Sequence, residues 1–350
     1  MTDPTLAGNC SANGDSTVSL SGQAPDTLAQ LELIRQALVD SISGGSASTT
    51  CLDYWEQLVL QHGEGTKQRA ASEQLPELAT DFDEIRRLLD RRMPSSSFRR
   101  LTRIAAQMAG LVFLTLIKMG EPGHARSWIR TARIAADETG DPTTRSWVRG
   151  QEAYVHYYSG DCAMAIAVAS EAQTIARNIP CAGVPLAAAL QARAEARLGH
   201  LREAQSALNR AENHLGRLST DTGAIASAFG YDEAQLRFHE SNTYTHLRFS
   251  TAARSAQDRA LTLYPQTDFL DRTLVRFDQA ICLATEGDAD AATAIALGEL
   301  CSLNKIQRSG LIFARAWDVY KSLPNGYLAN SPSVELHDLL MLTISKERGW

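Results

Sequence analysis

Apolar residues recur along this chain every three to four positions, in blocks separated by Gly, Pro and Ser. That spacing is the signature of amphipathic helices. Leu28, Leu31, Leu33, Ile34, Leu38 and Val39 form the first stripe, which stops at Gly44-Gly45. A second helix is predicted through Leu52, Tyr54, Trp55, Leu58 and Leu60, ending near Gly63, and a third from Leu75 to Leu89, ahead of Pro94. The pattern then predicts paired helices: 97–119 with 122–138, 143–159 with 162–178, 185–198 with 201–217, 222–247 with 249–264, and 268–286 with 289–302. Helices at 305–321 and 334–346 close the chain. No stretch sustains the two-residue alternation of a strand, so the chain is expected to be all-α.

A beat of small residues runs through the second helix of each pair. Ala125 and Ala132, Ala165 and Ala172, Ala204 and Ala211, and Ala253 and Ala260 are each seven apart. Gly120, Gly160 and Gly199 stand five residues before the first alanine of their units. The last pair keeps Gly287 and Ala292 but has Glu299 at the second small position. A glycine at the inter-helix turn and small residues where helices touch are what a tetratricopeptide-type repeat requires. The expected fold is therefore an all-α, tetratricopeptide-like helical-hairpin solenoid forming a right-handed superhelix. It would occupy residues 27–350, with N-terminal helices in 27–95, about five hairpins in 97–302 and capping helices in 305–350. Residues 1–26 carry no Lys or Arg and no periodic apolar pattern, and are expected to be disordered.

Composition narrows the function class. The formal net charge of −6 argues against nonspecific DNA binding by the whole surface. The six cysteines, at 10, 51, 162, 181, 282 and 301, show no C-x-x-C spacing and read as reduced thiols. No basic start precedes an apolar run at the N-terminus, and the apolar stretch Met108–Met119 is too short to span a bilayer. A cytoplasmic location without membrane attachment is expected.

The segments LPELATDFDEIRRLL, RRLTRIAAQMAGLVFLTLIKMG, ARSWIRTARIAADETGD and RSWVRGQEAYVHYYSGD resemble the tetratricopeptide region of actinobacterial Xre-type transcriptional regulators. The resemblance continues more loosely to VELHDLL near the C-terminus and covers roughly 300 residues. It implies a regulatory interaction module. Family members usually begin with a DNA-binding helix-turn-helix domain, whereas here a short low-complexity segment precedes the first helix. The resemblance therefore implies action through a protein or peptide partner, a DNA-binding regulator among the candidates, and not direct DNA binding. A homodimer is left open.

The first helix of each repeat lines the concave face of such a solenoid. Counting back from the in-phase alanines places Tyr154, Tyr157 and Tyr158, Arg193 and Arg197, and Asn242 and His246 there. Tyrosines offer rigid contact area and arginines clamp carboxylates, so this set is the candidate partner-binding groove. A second surface is the segment 86–133, where eleven basic residues face only two acidic ones. Its patch Arg91, Arg92, Arg99 and Arg100 would support nucleic-acid binding as an alternative, although no aromatic residues interleave with the arginines. Catalytic and metal motifs are lacking: no H-E-x-x-H, G-x-S-x-G or phosphate loop occurs, and His239 and His246 have no third ligand nearby in sequence. Asp81-Phe82-Asp83-Glu84 reads as an acidic helix start, not a magnesium site. No enzyme activity, cofactor or metal is expected. An all-helical small-molecule-binding or biosynthetic protein is the remaining alternative.

Overall fold

A computed structural model describes residues 31–35, 38, 48–218 and 227–347, with side chains of the last helix described to Met341. The expected disorder of 1–26 lies outside the described residues. The chain divides into two units, Met1–Ser46 and Ala47–Trp350. In the first, residues 31–35 are helical and Glu32 pairs with Arg35 at 2.6 Å.

The second unit is helical throughout its regular elements. Its helices are α1 (Thr49–Gln68), α2 (Ala71–Leu89), α3 (Ser95–Met119), α4 (Pro122–Thr139), α5 (Pro142–Tyr158), α6 (Cys162–Ile175) and α7 (Gly183–Arg197). There follow α8 (Leu201–Leu215), α9 (Glu233–His246), α10 (Ser250–Leu263), α11 (Phe269–Glu286), α12 (Ala289–Ser302), α13 (Gly310–Ser322) and α14 (Ser331–Glu347). Five hairpins pair α3 with α4, α5 with α6, α7 with α8, α9 with α10, and α11 with α12.

The hairpins share one turn. Gly120, Gly160, Gly199 and Gly287 all take positive φ, between 67° and 96° counting Gly140 with them, and the fourth hairpin puts Arg248 there at φ 60°. Each turn closes with the same six-residue backbone bond: Glu121 N to Leu116 O, Asp161 N to His156 O, His200 N to Glu195 O, Phe249 N to Tyr244 O and Asp288 N to Leu283 O, at 2.9–3.0 Å. This is a Schellman ending, which needs a left-handed residue and so selects glycine. An L-residue with a Cβ is strained in that conformation. Arg248→Gly is therefore expected to raise stability by about 1 kcal/mol, read as an upward shift in urea midpoint. The alanines that follow, Ala125, Ala132, Ala165, Ala172, Ala204, Ala211, Ala253, Ala260 and Ala292, are fully buried.

Three sequence expectations change. The helix expected to end near Gly63 continues to Gln68, and the Phe229 ring occupies the space that a Cβ on Gly63 would need. The helix expected from 222 begins at Glu233, where Asp232 and Gln235 form a reciprocal cap. Residues 227–232 instead form a loop pinned by Ala228 N to Gly63 O (2.9 Å) and by Trp147 Nε1 to Ala228 O (2.7 Å). The helix expected from 305 begins at Gly310, because the Asn304 side chain accepts from Ile306 N and Gln307 N and holds a turn.

The first helices of the hairpins pack side by side in the order α3, α5, α7, α9, α11, and α13 continues the row. Helix α13 also packs on α3, so the row closes on itself. The joint is Gly310 against Met119 and Gly120: a Cβ on Gly310 would lie 2.4 Å from Met119 O and 2.7 Å from Gly120 Cα. Helix α3 is long and apolar enough to cross a membrane by length and composition, yet most of it is buried inside this unit, with Leu101, Ile104, Met108, Leu111 and Phe113 sealed from solvent.

Candidate functional site

Closing the row turns its inner face into an interior, and the predicted groove residues meet there. Arg193 on α7 lies over the Tyr157 ring, its guanidinium carbon 4.3 Å from the centroid, and 5.1 Å from the Phe238 centroid. Its Nε donates to Asn242 Oδ1 at 2.8 Å. Tyr157 Oη donates to the same oxygen at 2.7 Å, which commits its proton, so His246 Nε2 donates to Tyr157 Oη at 3.2 Å. Arg197 reaches back to Tyr157 O at 2.9 Å, and Tyr154 stacks on Tyr158. All seven residues are brought together. Tyr157, Arg193 and Asn242 are each 1% exposed, so these three form an internal network and not a partner-facing lining, whereas Tyr154, Tyr158 and His246 are half-buried and Arg197 is exposed. The reason is the contact of α13 with α3, which an open superhelix lacks.

Sequence reasoning missed three members of this interior. Asn242 Nδ2 donates to Asp278 at 3.1 Å, Arg315 on α13 ion-pairs with Asp278, and Arg193 Nη1 approaches His239 Nδ1 at 3.5 Å. An arginine only donates, so Nδ1 is the acceptor and His239 Nε2 gives its proton to Tyr154 Oη at 3.3 Å. Burial, helped by Arg193 and Lys67, holds His239 far below the usual histidine range, and burial with Arg315 and Arg193 pushes His246 down to about 3. Both rings are neutral at pH 7. Burial pushes the Asp278 carboxyl up, against the pull of Arg315 and Arg193. A signal for these residues exists in the sequence. Gln151, His239 and Asp278 each stand fourteen residues before the first alanine of their hairpin, one helical turn from the positions that yielded Tyr154 and Asn242.

Beside the network lies a cavity of about 100 Å³. Its apolar wall includes Leu114, Leu186, Phe238 and Leu274, and its polar groups are Lys67, Lys118, Gln151, Gln235, Asp268 and Asp271. Asp268 caps α11, its Oδ1 accepting from Asp271 N at 3.1 Å. Burial, with the Asp271 carboxylate beside it, pushes the Asp268 carboxyl up to about 7. A carboxyl raised on folding holds extra protons in the folded state between its two pKa values, so it withdraws stability as pH rises from about 4 to about 7. Asp268→Asn keeps the cap and removes the titration. Its stability relative to the native chain is expected to rise by as much as about 4 kcal/mol between pH 4 and pH 8, measured by urea unfolding at both ends.

The cavity adjoins a larger cleft of about 570 Å³ through Thr66, Lys67, Lys118 and Leu270, which line both. Lys67, Arg69, Lys118, Lys305 and Arg308 line the cleft and no acidic residue does. Arg69 is held in place by Glu77 at 2.6 Å.

The Arg-rich segment is placed differently. Arg100 pairs with Asp53 and Glu56, Arg103 with Glu56, Arg86 and Arg87 with Asp83, and Arg133 with Glu152 and Glu171. Arg92 and Arg99 are exposed, and Arg91 is half-buried. Much of the segment's charge is thus matched by carboxylates, several of them on neighbouring helices. Asp81 accepts from His62 at 2.6 Å, so two carboxylates of the 81–84 run serve structural pairs. Among the described residues, no cluster of three His, Cys, Asp or Glu could hold a metal ion, and Cys51, Cys162, Cys181, Cys282 and Cys301 are free thiols.

No family model matches the chain, and no curated protein matches it. Among solved structures it is similar to BtubC (BKLC) from P. vanneervenii, at 17% identity and a TM-score of 0.45, over 67% of this chain and 91% of that one.

Proposed function

We propose that the Ala47–Trp350 unit is a tetratricopeptide-like repeat module that acts by binding, not catalysis, in a cytoplasmic regulatory pathway. The partner is a protein or peptide segment that presents carboxylates to the cleft beside Lys305 and Arg308. One observation carries this reading: five cationic side chains and no acidic one line a cleft of about 570 Å³ in a chain whose net charge is −6. A local reversal of sign against the overall charge focuses an acidic partner onto one place. The in-phase alanines and the repeated Schellman turns support the repeat assignment. The resemblance to Xre-type regulators supports the regulatory role, with a separate DNA-binding protein as the partner's class.

The test is fluorescence anisotropy with a fluorescein-labelled Glu/Asp-rich peptide. Native protein is expected to bind it with an affinity that falls as salt rises, and a Lys305→Glu/Arg308→Glu variant at least tenfold more weakly. Equal binding by that variant, with loss in an Arg92→Glu/Arg99→Glu variant, would move the working surface to the Arg-rich segment.

A further inference from the structure

The inner cavity holds two lysines and two aspartates, yet among the described residues no ion pair joins Lys67 or Lys118 to Asp268 or Asp271. Opposite charges that line one partly buried pocket commonly pair. Here each sign is held on a separate wall. Lys67 and Lys118 come from the ends of α1 and α3, and Asp268 and Asp271 from the start of α11. No lysine nitrogen there lies within 4 Å of an aspartate oxygen, although both aspartates act on Lys118 through space. Lys118 donates to the Thr66 carbonyl, which leaves two of its three hydrogens to give. Asp268 uses one oxygen on its helix cap.

Gln151, 3% exposed, adds a neutral amide to the same wall. The remaining wall is aliphatic and aromatic, and its volume suits a small branched side chain.

We propose that this cavity binds a free α-amino acid with an aliphatic side chain. Its carboxylate faces Lys67 and Lys118, its ammonium faces Asp268 and Asp271, and its side chain rests on Leu114, Leu186, Phe238 and Leu274. A zwitterion satisfies both separated charges at once, which neither a simple anion nor a simple amine does. Entry is through the cleft, by way of the shared residues Thr66, Lys67, Lys118 and Leu270. The proposal does not rest on the cleft taking a partner. The lowered ammonium of Lys118 and the raised carboxyl of Asp268 are what burial without a contact partner produces.

The experiment uses the full chain. Thermal unfolding with each of the twenty amino acids at about 100 times a micromolar-to-millimolar Kd range finds stabilisers through their preference for the folded state. Calorimetric titration then compares leucine with N-acetyl-leucine, which lacks the ammonium, and leucinamide, which lacks the carboxylate. Valine, leucine or isoleucine is expected to bind, and each blocked derivative to bind at least tenfold more weakly. Lys118→Met and Asp271→Asn are each expected to weaken binding at least tenfold; Asp271 is half-buried and caps no helix, so its variant keeps the test sound if Lys118→Met does not fold. The proposal is overturned if no amino acid stabilises the protein, or if the blocked derivatives bind as well as leucine. Failure here with acidic-peptide binding intact would leave the partner cleft standing.

Discussion

Gly310→Ala is expected to destabilise the Ala47–Trp350 unit by roughly 3 kcal/mol, against the grain of helix propensity. In a free helix the same change stabilises by about 1 kcal/mol. Here the new Cβ would meet backbone, 2.4 Å from Met119 O and 2.7 Å from Gly120 Cα, and backbone does not move aside like a side-chain end. Either α13 withdraws from α3 or both helices shift. Gly298→Ala is the matched control. Gly298 lies inside α12 with nothing within 4 Å of its would-be Cβ, so that substitution is expected to stabilise by about 0.5–1 kcal/mol. Urea unfolding of the two variants side by side checks the contrast in sign. Because α13 carries Arg315, loosening of the joint should also disturb the inner network, visible as faster amide exchange at α9 and α11.

Asp278→Ala should cost about 3–5 kcal/mol, and more than Arg315→Met. Asp278 is sealed from solvent and answers Arg315, Asn242 and Ser241. Removing it leaves Arg315 buried with only its 2.7 Å pair to Asp318, and takes from buried Arg193, which bonds Asn242 and no carboxylate, the negative charge that acts on it through space. An arginine cannot shed its charge. The reverse deletion is gentler, since burial has already raised the Asp278 carboxyl and it can take a proton when Arg315 is gone. The cost of Arg315→Met should therefore grow as pH rises, whereas the cost of Asp278→Ala should be greatest at low pH and fall as pH rises, because a carboxyl raised on folding withdraws stability as it ionises. Equal and pH-independent losses for the two variants would mean that the pair is not the charge balance of the interior.

The hairpins were legible because their determinants are local. Glycine five residues before a buried alanine fixes both the left-handed turn and the close helix contact, and the two recur in phase. The fourth hairpin shows the limit of such a motif: Arg248 holds the same turn at φ 60° without a glycine. The same counting brought Tyr154, Tyr157, Tyr158, Arg193, Arg197, Asn242 and His246 to one place. It did not reveal that the place is internal. That depends on α13 meeting α3, a contact between residues nearly two hundred positions apart that leaves no periodic trace beyond two glycines. The cavity was equally hidden. Lys118 and Asp268 sit at helix ends, where a basic residue in the last turn of one helix and an acidic cap before another are ordinary, and only the fold makes them face one space.

The inner helices close into a ring through the contact of α13 with α3, and a distance across that joint measures the closure. Spin labels at Gly123 and Ala314, both exposed and beside the cleft that Pro122 and Ala314 line, would be introduced with Cys10, Cys51 and Cys301 replaced by serine. Helix α13 is five steps from α3 along the row, and at about 8–10 Å per step an open array would hold them roughly 40–50 Å apart. Electron–electron resonance on the closed ring should give one narrow population within about 20 Å, two helix diameters. A broad distribution centred beyond about 40 Å would contradict the ring, and with it the internal placement of the Arg193–Asn242–Asp278 network.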